Sequence, residues 1–415
     1  MAPVNPGRLA AARALLAVDG GRHVEDALAA RAPGGPADRA LAWHLALGVL
    51  RRRHHVDAAL RPRLRQALPS LDPEVRAALR VGAFEILFSR TKPHAAVHQA
   101  VEVVRGLGAG RASGLVNAVL RRVQAPEGLS RAESLDHPSW LVARWDDRYG
   151  PEATTAWCQR NNEPALLFLV ARGDPDALAA ELVEAGVEVA PVSLQGATLA
   201  GVLRVSGFRG GPTDLPGFDE GRFWVQDPAS VLVADLLEVG EGSRVLDACA
   251  APGGKAFRLA LRGAHVLAVD RDDTRLELAR LSARRLGLPL DLAVHDWRQG
   301  PLSEERFDAV LVDAPCTALG LLRRHPDIRW RRQLVDVLGA PARQGAILAG
   351  ASAQVAPGGQ LVYAVCSPEP EEGPEVVQAF LEAHPDFTLE GERSTAPPEG
   401  DEDAFYAARM VRSSA

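Results

Sequence analysis

Two of the four cysteines stand at the ends of apolar, strand-like runs: Cys316 closes AVLVDAPC (309–316) and Cys366 follows QLVYAV (360–365). A third run, RVLDACAAPGGK (244–255), leads into a turn of alanine, proline and glycine. A thiol at a polar strand–helix junction can be held as a thiolate and act as a nucleophile. Small residues in such a turn let backbone N–H groups come close to a nucleotide-like ligand. The pattern therefore predicts a nucleophilic thiol beside a bound cofactor, at the carboxyl edge of a parallel sheet where open α/β folds bind ligands.

Five strand-like runs in succession end in such candidates: Asp247 with Cys249, Asp270, Asp296, Asp313 with Cys316, and Cys366. The cofactor turn is Cys249, Ala250, Ala251, Pro252, Gly253, Gly254 and Lys255. Asp270 lies 16 residues after Gly254, at the end of the next run, where a carboxylate can accept both hydroxyls of a ribose. Asp296, in VHDWR, is expected near the adenine amine or neighbouring backbone. The turn is not a GxGxxG, so S-adenosylmethionine is favoured over a dinucleotide. A tight packing turn is the plain alternative.

The thiols suit one chemistry in particular. Cytosine C5 is too weak a nucleophile to attack a methyl sulfonium unaided. A thiolate adding at C6 makes an enamine whose C5 takes the methyl; loss of the C5 proton and expulsion of the thiol complete the turnover. Asp313 is placed to hydrogen-bond the base near N3 and N4 and support the developing charge. The bland reading of either cysteine is a small buried apolar residue. A redox disulfide stays open, whereas no CxxC-type spacing points to a metal. In the segment after Cys316, TALGLLRRHPDIRWRR, residues Arg323, Arg324, His325 and Arg329 suit phosphate contacts and Trp330 suits base stacking. A solvated helix face is the alternative there.

From 243 onward the strand runs alternate with helical ones such as GGKAFRLALR and DDTRLELARLSARRLG. Such alternation predicts an α/β, doubly wound, mostly parallel sheet. Residues 8–123 instead show three- and four-residue apolar spacing in 9–18, 39–60, 74–88, 94–107 and 112–123, which predicts an all-α bundle. Between them, 124–137 is polar and linker-like, 138–223 mixes helices with short strands as a small α+β module, and 207–221 is a glycine- and proline-rich loop. The expected division is 1–125, 138–223 and 224–415.

The whole chain supports this picture. At 415 residues it has room for two or three domains. No apolar stretch is long enough to span a bilayer, the amino terminus lacks a signal-like apolar block, and four cysteines do not form a disulfide framework. A cytoplasmic protein without membrane association is expected. Net charge is −6, but residues 1–131 hold 20 Lys/Arg against 10 Asp/Glu, and the remainder 27 against 43. A basic helical module joined to an acidic remainder points to a polyanionic partner for the first part. Only two lysines occur, Lys92 and Lys255, the second in the cofactor turn.

At DACAAPGGK (247–255), VDAPCTALGLLRRHPDIRW (312–330), LVYAVCSPEPEE (361–372) and WVQDPAS (224–230) the chain resembles the RNA (cytosine-5) methyltransferases. The likeness is greatest to the bacterial small-subunit ribosomal RNA methyltransferase B, or Sun, family. VRAALRVGAFEILF, PHAAVHQAVEVVR and GLVNAVLRRV are similar to the RNA-binding domain of the NusB antitermination factor. The resemblance implies a Rossmann-like catalytic domain, S-adenosylmethionine as cofactor, and 16S ribosomal RNA, unassembled or partly assembled, as the partner of a monomer. It also implies that Cys366 is the nucleophile and that Cys316 assists product release; the residues alone do not assign the two roles. Two positions depart from the family pattern: Val365 stands for a Thr and Gly373 for an Asn. Rival readings are the same chemistry on transfer RNA, a non-catalytic antitermination-like RNA-binding factor, and a dinucleotide-dependent oxidoreductase.

Overall fold

The structure, a computed structural model, describes residues 4–208 and 210–414; Arg209, in the glycine-rich loop, lies outside them with the first three residues and the last. The chain gathers into two compact units, Met1–Pro164 with Leu322–Arg332, and Ala165–Leu321 with Gln333–Ala415.

The first unit is helical. Its opening bundle comprises Pro6–Asp19, Val24–Ala29, Pro36–Arg51, Arg53–Leu60, Pro73–Phe88, Pro93–Gly106 and Ser113–Leu120. Pro6, Pro36, Pro73 and Pro93 each open a helix, where a fixed φ helps and the missing N–H costs nothing. Leu45, Leu50, Leu60, Leu79 and Leu120 are fully buried at the centre. Two glycines set the helix spacing: a Cβ on Gly48 would lie 2.2 Å from the Phe84 ring, and one on Gly82 would lie 2.5 Å from a Leu120 methyl. The pattern over 39–60 predicts one helix, but the chain breaks at Arg52 (φ −115°, ψ 25°). Apolar spacing carries across the break because both pieces face the same core, through Val49 and Leu50 before it and Val56 and Leu60 after it.

The polar stretch 124–137 is more than a tether. It contains the helix Arg131–Ser134, opened by a capping box of Ser130 and Glu133, and its last residues Leu135, Asp136 and His137 are buried. Helices Ser139–Tyr149 and Pro151–Asn161 follow, with Trp145 stacked on Trp157 at 3.9 Å between centroids.

The second unit holds two sheets. Strands β1 (Leu167–Ala171), β2 (Glu188–Leu194), β3 (Ala197–Ser206) and β4 (Phe223–Val225) form an antiparallel sheet in the order β2-β3-β1-β4. The helix Pro175–Glu184 covers it through Leu178 and Leu182.

The larger sheet contains β5 (Arg244–Asp247), β6 (His265–Asp270), β7 (Asp291–Val294), β8 (Phe307–Asp313), β9 (Val355–Val365), β10 (Phe387–Ser394) and β11 (Tyr406–Arg412), ordered β10-β11-β9-β8-β5-β6-β7. Strands β5 to β9 are parallel and correspond to the five apolar runs. Consecutive residues alternate between two cores: Val245 and Leu311 pack on one face with Leu259 and Phe257, while Leu246, Val310 and Val312 pack on the other with Ile347 and Leu348. Burial on both faces explains why β5, β6, β8 and β9 read as near-continuous apolar runs, whereas β7, at the sheet edge, is exposed at both its ends. The antiparallel pair β10 and β11 was not expected from the sequence. The architecture is an all-α bundle, a small α+β module and a doubly wound, Rossmann-like α/β domain. Among the described residues, no helix is long and apolar enough to cross a membrane.

Candidate active site

Strand order reverses around β5, which pairs with β6 on one side and β8 on the other. That reversal opens a crevice at the carboxyl ends of these strands, and the candidate residues lie there.

The cofactor turn leaves β5 and enters the helix Gly254–Leu261. Gly253, at its N-cap, has φ 112°, and a Cβ there would sit 2.4 Å from the Phe257 ring. Only glycine meets both demands, and it leaves the first N–H groups of the helix bare for an anion or a polar ligand. Asp270 at the end of β6 braces the turn: its Oδ2 accepts from the Ala251 N–H at 3.2 Å and its Oδ1 from the Asp272 N–H at 3.0 Å. Cys249 is half-buried, its thiol pushed well up by burial and then by the Asp247 charge. Asp296 follows β7 and is gripped by Arg298, which holds its carboxyl below the usual range. Lys255 is buried and donates to Asp313 Oδ2 at 2.6 Å, tying the cofactor turn to the end of β8.

The two thiols meet. Cys316 Sγ lies 3.3 Å from Cys366 Sγ, because the parallel register sets Asp313 beside Ala364. The Cys316 thiol is pushed well above its usual value, first by its contact with Cys366 and then by burial. A proton on Cys316 can therefore be shared with the neighbouring sulfur.

One residue that the sequence reading passed over organises both loops. The buried Glu372 carboxylate accepts from the Thr317 N–H at 2.8 Å, from the Thr317 hydroxyl, from Ser367 Oγ at 2.5 Å and from Gln344 Nε2 at 3.1 Å. Thr317 follows Cys316 and Ser367 follows Cys366, so one side chain fixes the residues next to both sulfurs. Its only signal in the sequence is the glutamate pair after the Cys366 motif. Gly320 adds a close approach: it donates to Cys366 O at 3.0 Å, and a Cβ on it would lie 1.9 Å from Ala404 O.

The basic segment from Leu322 to Arg332 belongs to the first unit. Arg329 corrects the expectation that it contacts phosphate. It is 0% exposed, and its two terminal nitrogens donate to Asp136 O, Asn162 Oδ1, Asn161 O and Leu322 O at 2.6–3.1 Å. Four of the five donors of its planar fork are thus spent on three backbone carbonyls and one amide oxygen of the same unit. Arg323 is also buried, donating to Pro164 O at 3.1 Å. Arg324 and His325 are half-exposed, and His325 lies 3.4 Å from Glu25. Trp330 is half-buried and donates its indole N–H to Leu50 O at 2.7 Å.

Comparison with known proteins gives this arrangement its class. Residues 234–411 match the description "16S rRNA methyltransferase RsmB/F", residues 5–125 the NusB family, and residues 137–206 the ferredoxin-like domain of the RsmF/B-like methyltransferases. The doubly wound sheet is thus a methyltransferase domain, carried with a NusB-type helical domain. Relatives named ribosomal RNA small subunit methyltransferase B match nearly the whole chain. That of Thermus thermophilus is 37% identical over 98% of this chain and 97% of its own. That of Pseudomonas putida is 36% identical over 99% of each, and that of Xanthomonas campestris 35% over 98% and 97%. The chain belongs to the RsmB/F family of 16S rRNA methyltransferases. Among solved structures, PH0851 shares the fold over 99% of each chain (TM-score 0.85, 24% identity). NSun6 from Pyrococcus horikoshii, solved with SFG, shares it over 66% of this chain and 98% of its own (TM-score 0.59, 19% identity).

Proposed function

We propose that this chain transfers a methyl group from S-adenosylmethionine to C5 of a cytosine in 16S ribosomal RNA, through a covalent bond between Cys366 and cytosine C6. The observation that carries the reading is the pair of sulfurs 3.3 Å apart at the ends of two adjacent parallel strands, beside a glycine-lined turn. The names borne by relatives that match nearly the full length support the same substrate.

The turn suits the cofactor. Its N–H groups are bare because the N-cap, Gly253, has no side chain to cap them, Asp270 and Asp296 offer carboxylates at the ends of β6 and β7, and Lys255 and Asp313 close the side toward the thiols. When bound over Cys249–Lys255, S-adenosylmethionine supplies an electrophilic methyl on a sulfonium centre. Cys366, as thiolate, adds to C6 and drives electrons to C5, which takes the methyl. Asp313 accepts from the exocyclic amine and holds the ring. Cys316 stands next to the newly bonded sulfur, where it assists loss of the C5 proton and departure of Cys366. The base must leave any stack to reach the thiols, so unassembled or partly assembled RNA in the cytoplasm, met by a monomer, is the expected substrate.

The test is a Cys316→Ser variant incubated with unmodified 16S ribosomal RNA and S-adenosylmethionine, then resolved under denaturing conditions. A protein–RNA adduct is expected, and it should vanish when Cys366→Ser is added. Absence of the adduct, with a wild-type chain that also methylates no 16S RNA, sinks the reading; methylation of transfer RNA in parallel would redirect it.

A further inference from the structure

A cavity of about 540 Å³ opens within the first unit, lined by His54, Glu133, Trp140, Arg329, Trp330 and Arg332 among others. Four features of its wall point to one kind of ligand. Trp140 and Trp330 are both only half-buried, and Trp140 has no hydrogen-bond or ring partner among the described residues. The helix Ser139–Tyr149 begins at this wall with Pro138 as N-cap and no side-chain cap; the Leu141 and Val142 N–H groups turn back to Pro138 O, which leaves those of Ser139 and Trp140, at the positive end of the dipole, without an acceptor. Arg329 Nε is fully enclosed yet has no acceptor, although the four other donors of the same guanidinium are used. Arg332 adds a further cation. The one carboxylate in the wall, Glu133, is already held by Arg61 and by the Ser130 N–H and hydroxyl, which keeps its charge compensated.

Aromatic surface, an uncapped helix N-terminus and the Arg332 guanidinium in one concavity match the two halves of a nucleotide, a base with a π face and a phosphate. We infer that this cavity binds an unpaired nucleotide of the substrate RNA, with Trp140 as a stacking surface and the helix N-terminus with Arg332 as the phosphate contact. The proposal deepens the function proposed above and rests on that reading, since it assigns a site for RNA outside the thiol crevice. Trp330 belongs to the same inter-strand segment as Cys316, so an RNA strand held here is held by a segment covalently continuous with the thiol loop. In this arrangement the buried Arg329 is a positioning residue that fixes Trp330 and Arg332 in the wall.

The experiment compares full-length wild type with Trp140→Ala and Trp140→Phe, using a short fluorescein-labelled oligouridylate as probe and heparin as a polyanion without bases. Loss of one base stack should weaken oligouridylate binding about ten-fold in Trp140→Ala. Trp140→Phe should restore most of it, heparin binding should be unchanged, and thermal unfolding should match wild type. Cross-linking with a 4-thiouridine version of the probe should label residues 130–140 or 329–332. Wild-type affinity in Trp140→Ala, equal loss for heparin, or cross-links confined to other segments would each overturn the proposal. Because this readout needs no methyl transfer, a chain that binds here but methylates no RNA defeats the proposed reaction and leaves the nucleotide site standing. Methylation with unchanged KM in Trp140→Ala does the reverse.

Discussion

Asp247 ends β5 with its carboxylate enclosed and neither oxygen hydrogen-bonded. Burial pushes its pKa up to about 7, against the pull of Lys255; the nearby Cys249 N–H favours the anion without forming a bond of good geometry. In the unfolded chain the same side chain titrates near ~4. Between these values the folded state binds the proton more tightly, so stability falls as pH rises through roughly 4 to 7 and the penalty is complete above that. Asp247→Asn removes this titration. Relative to wild type, the variant should gain about 2–3 kcal/mol of unfolding free energy between about pH 5 and about pH 8, measured by urea titration at each. A difference that stays constant with pH would show that Asp247 is already ionised in the fold. The sequence marked Asp247 as one of several acids at strand ends; its enclosure, and the use of Asp270 as a brace, depend on neighbours brought in from other strands. The same holds for Lys255 and Asp313, whose pairing across 58 residues no local spacing announces.

At the scale of elements, Glu372 ties together the two thiol loops that β8 and β9 deliver. Replacing it with glutamine would set an amide NH₂ against donors on Thr317, Ser367 and Gln344. Leaving such buried donors unpaired costs about 2–3 kcal/mol, and the resulting sub-ångström shifts should lower kcat by about ten- to a hundred-fold. These Glu372 bonds run to Thr317, Ser367 and Gln344 and not to the turn 249–255, so S-adenosylmethionine affinity, followed by calorimetry, should stay at the wild-type value. An unchanged kcat in single-turnover methylation, with stability alone reduced, would make Glu372 a fold residue only. Four of the five parallel strands were legible because burial on both faces writes each as a short apolar run; the edge strand β7 is exposed at both ends and was legible from its place in the strand–helix alternation. Strands β10 and β11 were not: FTLEGERS is mostly exposed along its length, and its pairing with Tyr406–Arg412 is set by contacts distant in sequence. The break at Arg52 escaped for the opposite reason, since one apolar stripe serves both helices. Arg329 was misjudged because an arginine in a basic run reads as solvated, whereas here the carbonyls of Asp136, Asn161 and Leu322 converge on it.

At the scale of the whole molecule, charge is divided along the chain. A surplus of basic residues in the first 131 positions accompanies an acidic remainder, so overall charge alone would predict weak attraction to RNA while the amino-terminal part predicts strong attraction. The two expectations separate by salt. Each phosphate neutralised by a lysine or arginine releases condensed counterions, and log affinity falls with log salt concentration by about 0.7 for each contact on single-stranded RNA. Arg121 and Arg122 are exposed just past the helix Ser113–Leu120, and their Nε groups donate locally, that of Arg121 to Asn117 Oδ1 and that of Arg122 to the Ala118 carbonyl. Their charges are therefore uncompensated by carboxylates in these contacts and free to meet a polyanion. A double Arg121→Gln, Arg122→Gln variant should bind unmodified 16S RNA more weakly at low salt. It should also reduce the salt slope by about one to one and a half, with thermal unfolding and S-adenosylmethionine affinity unchanged. Equal affinity and equal slope would mean that the backbone contacts lie on other arginines of the basic module. A wild-type chain whose RNA affinity does not respond to salt would remove the basic module from RNA binding altogether, and the amino-terminal charge would then be no more than a solvated surface.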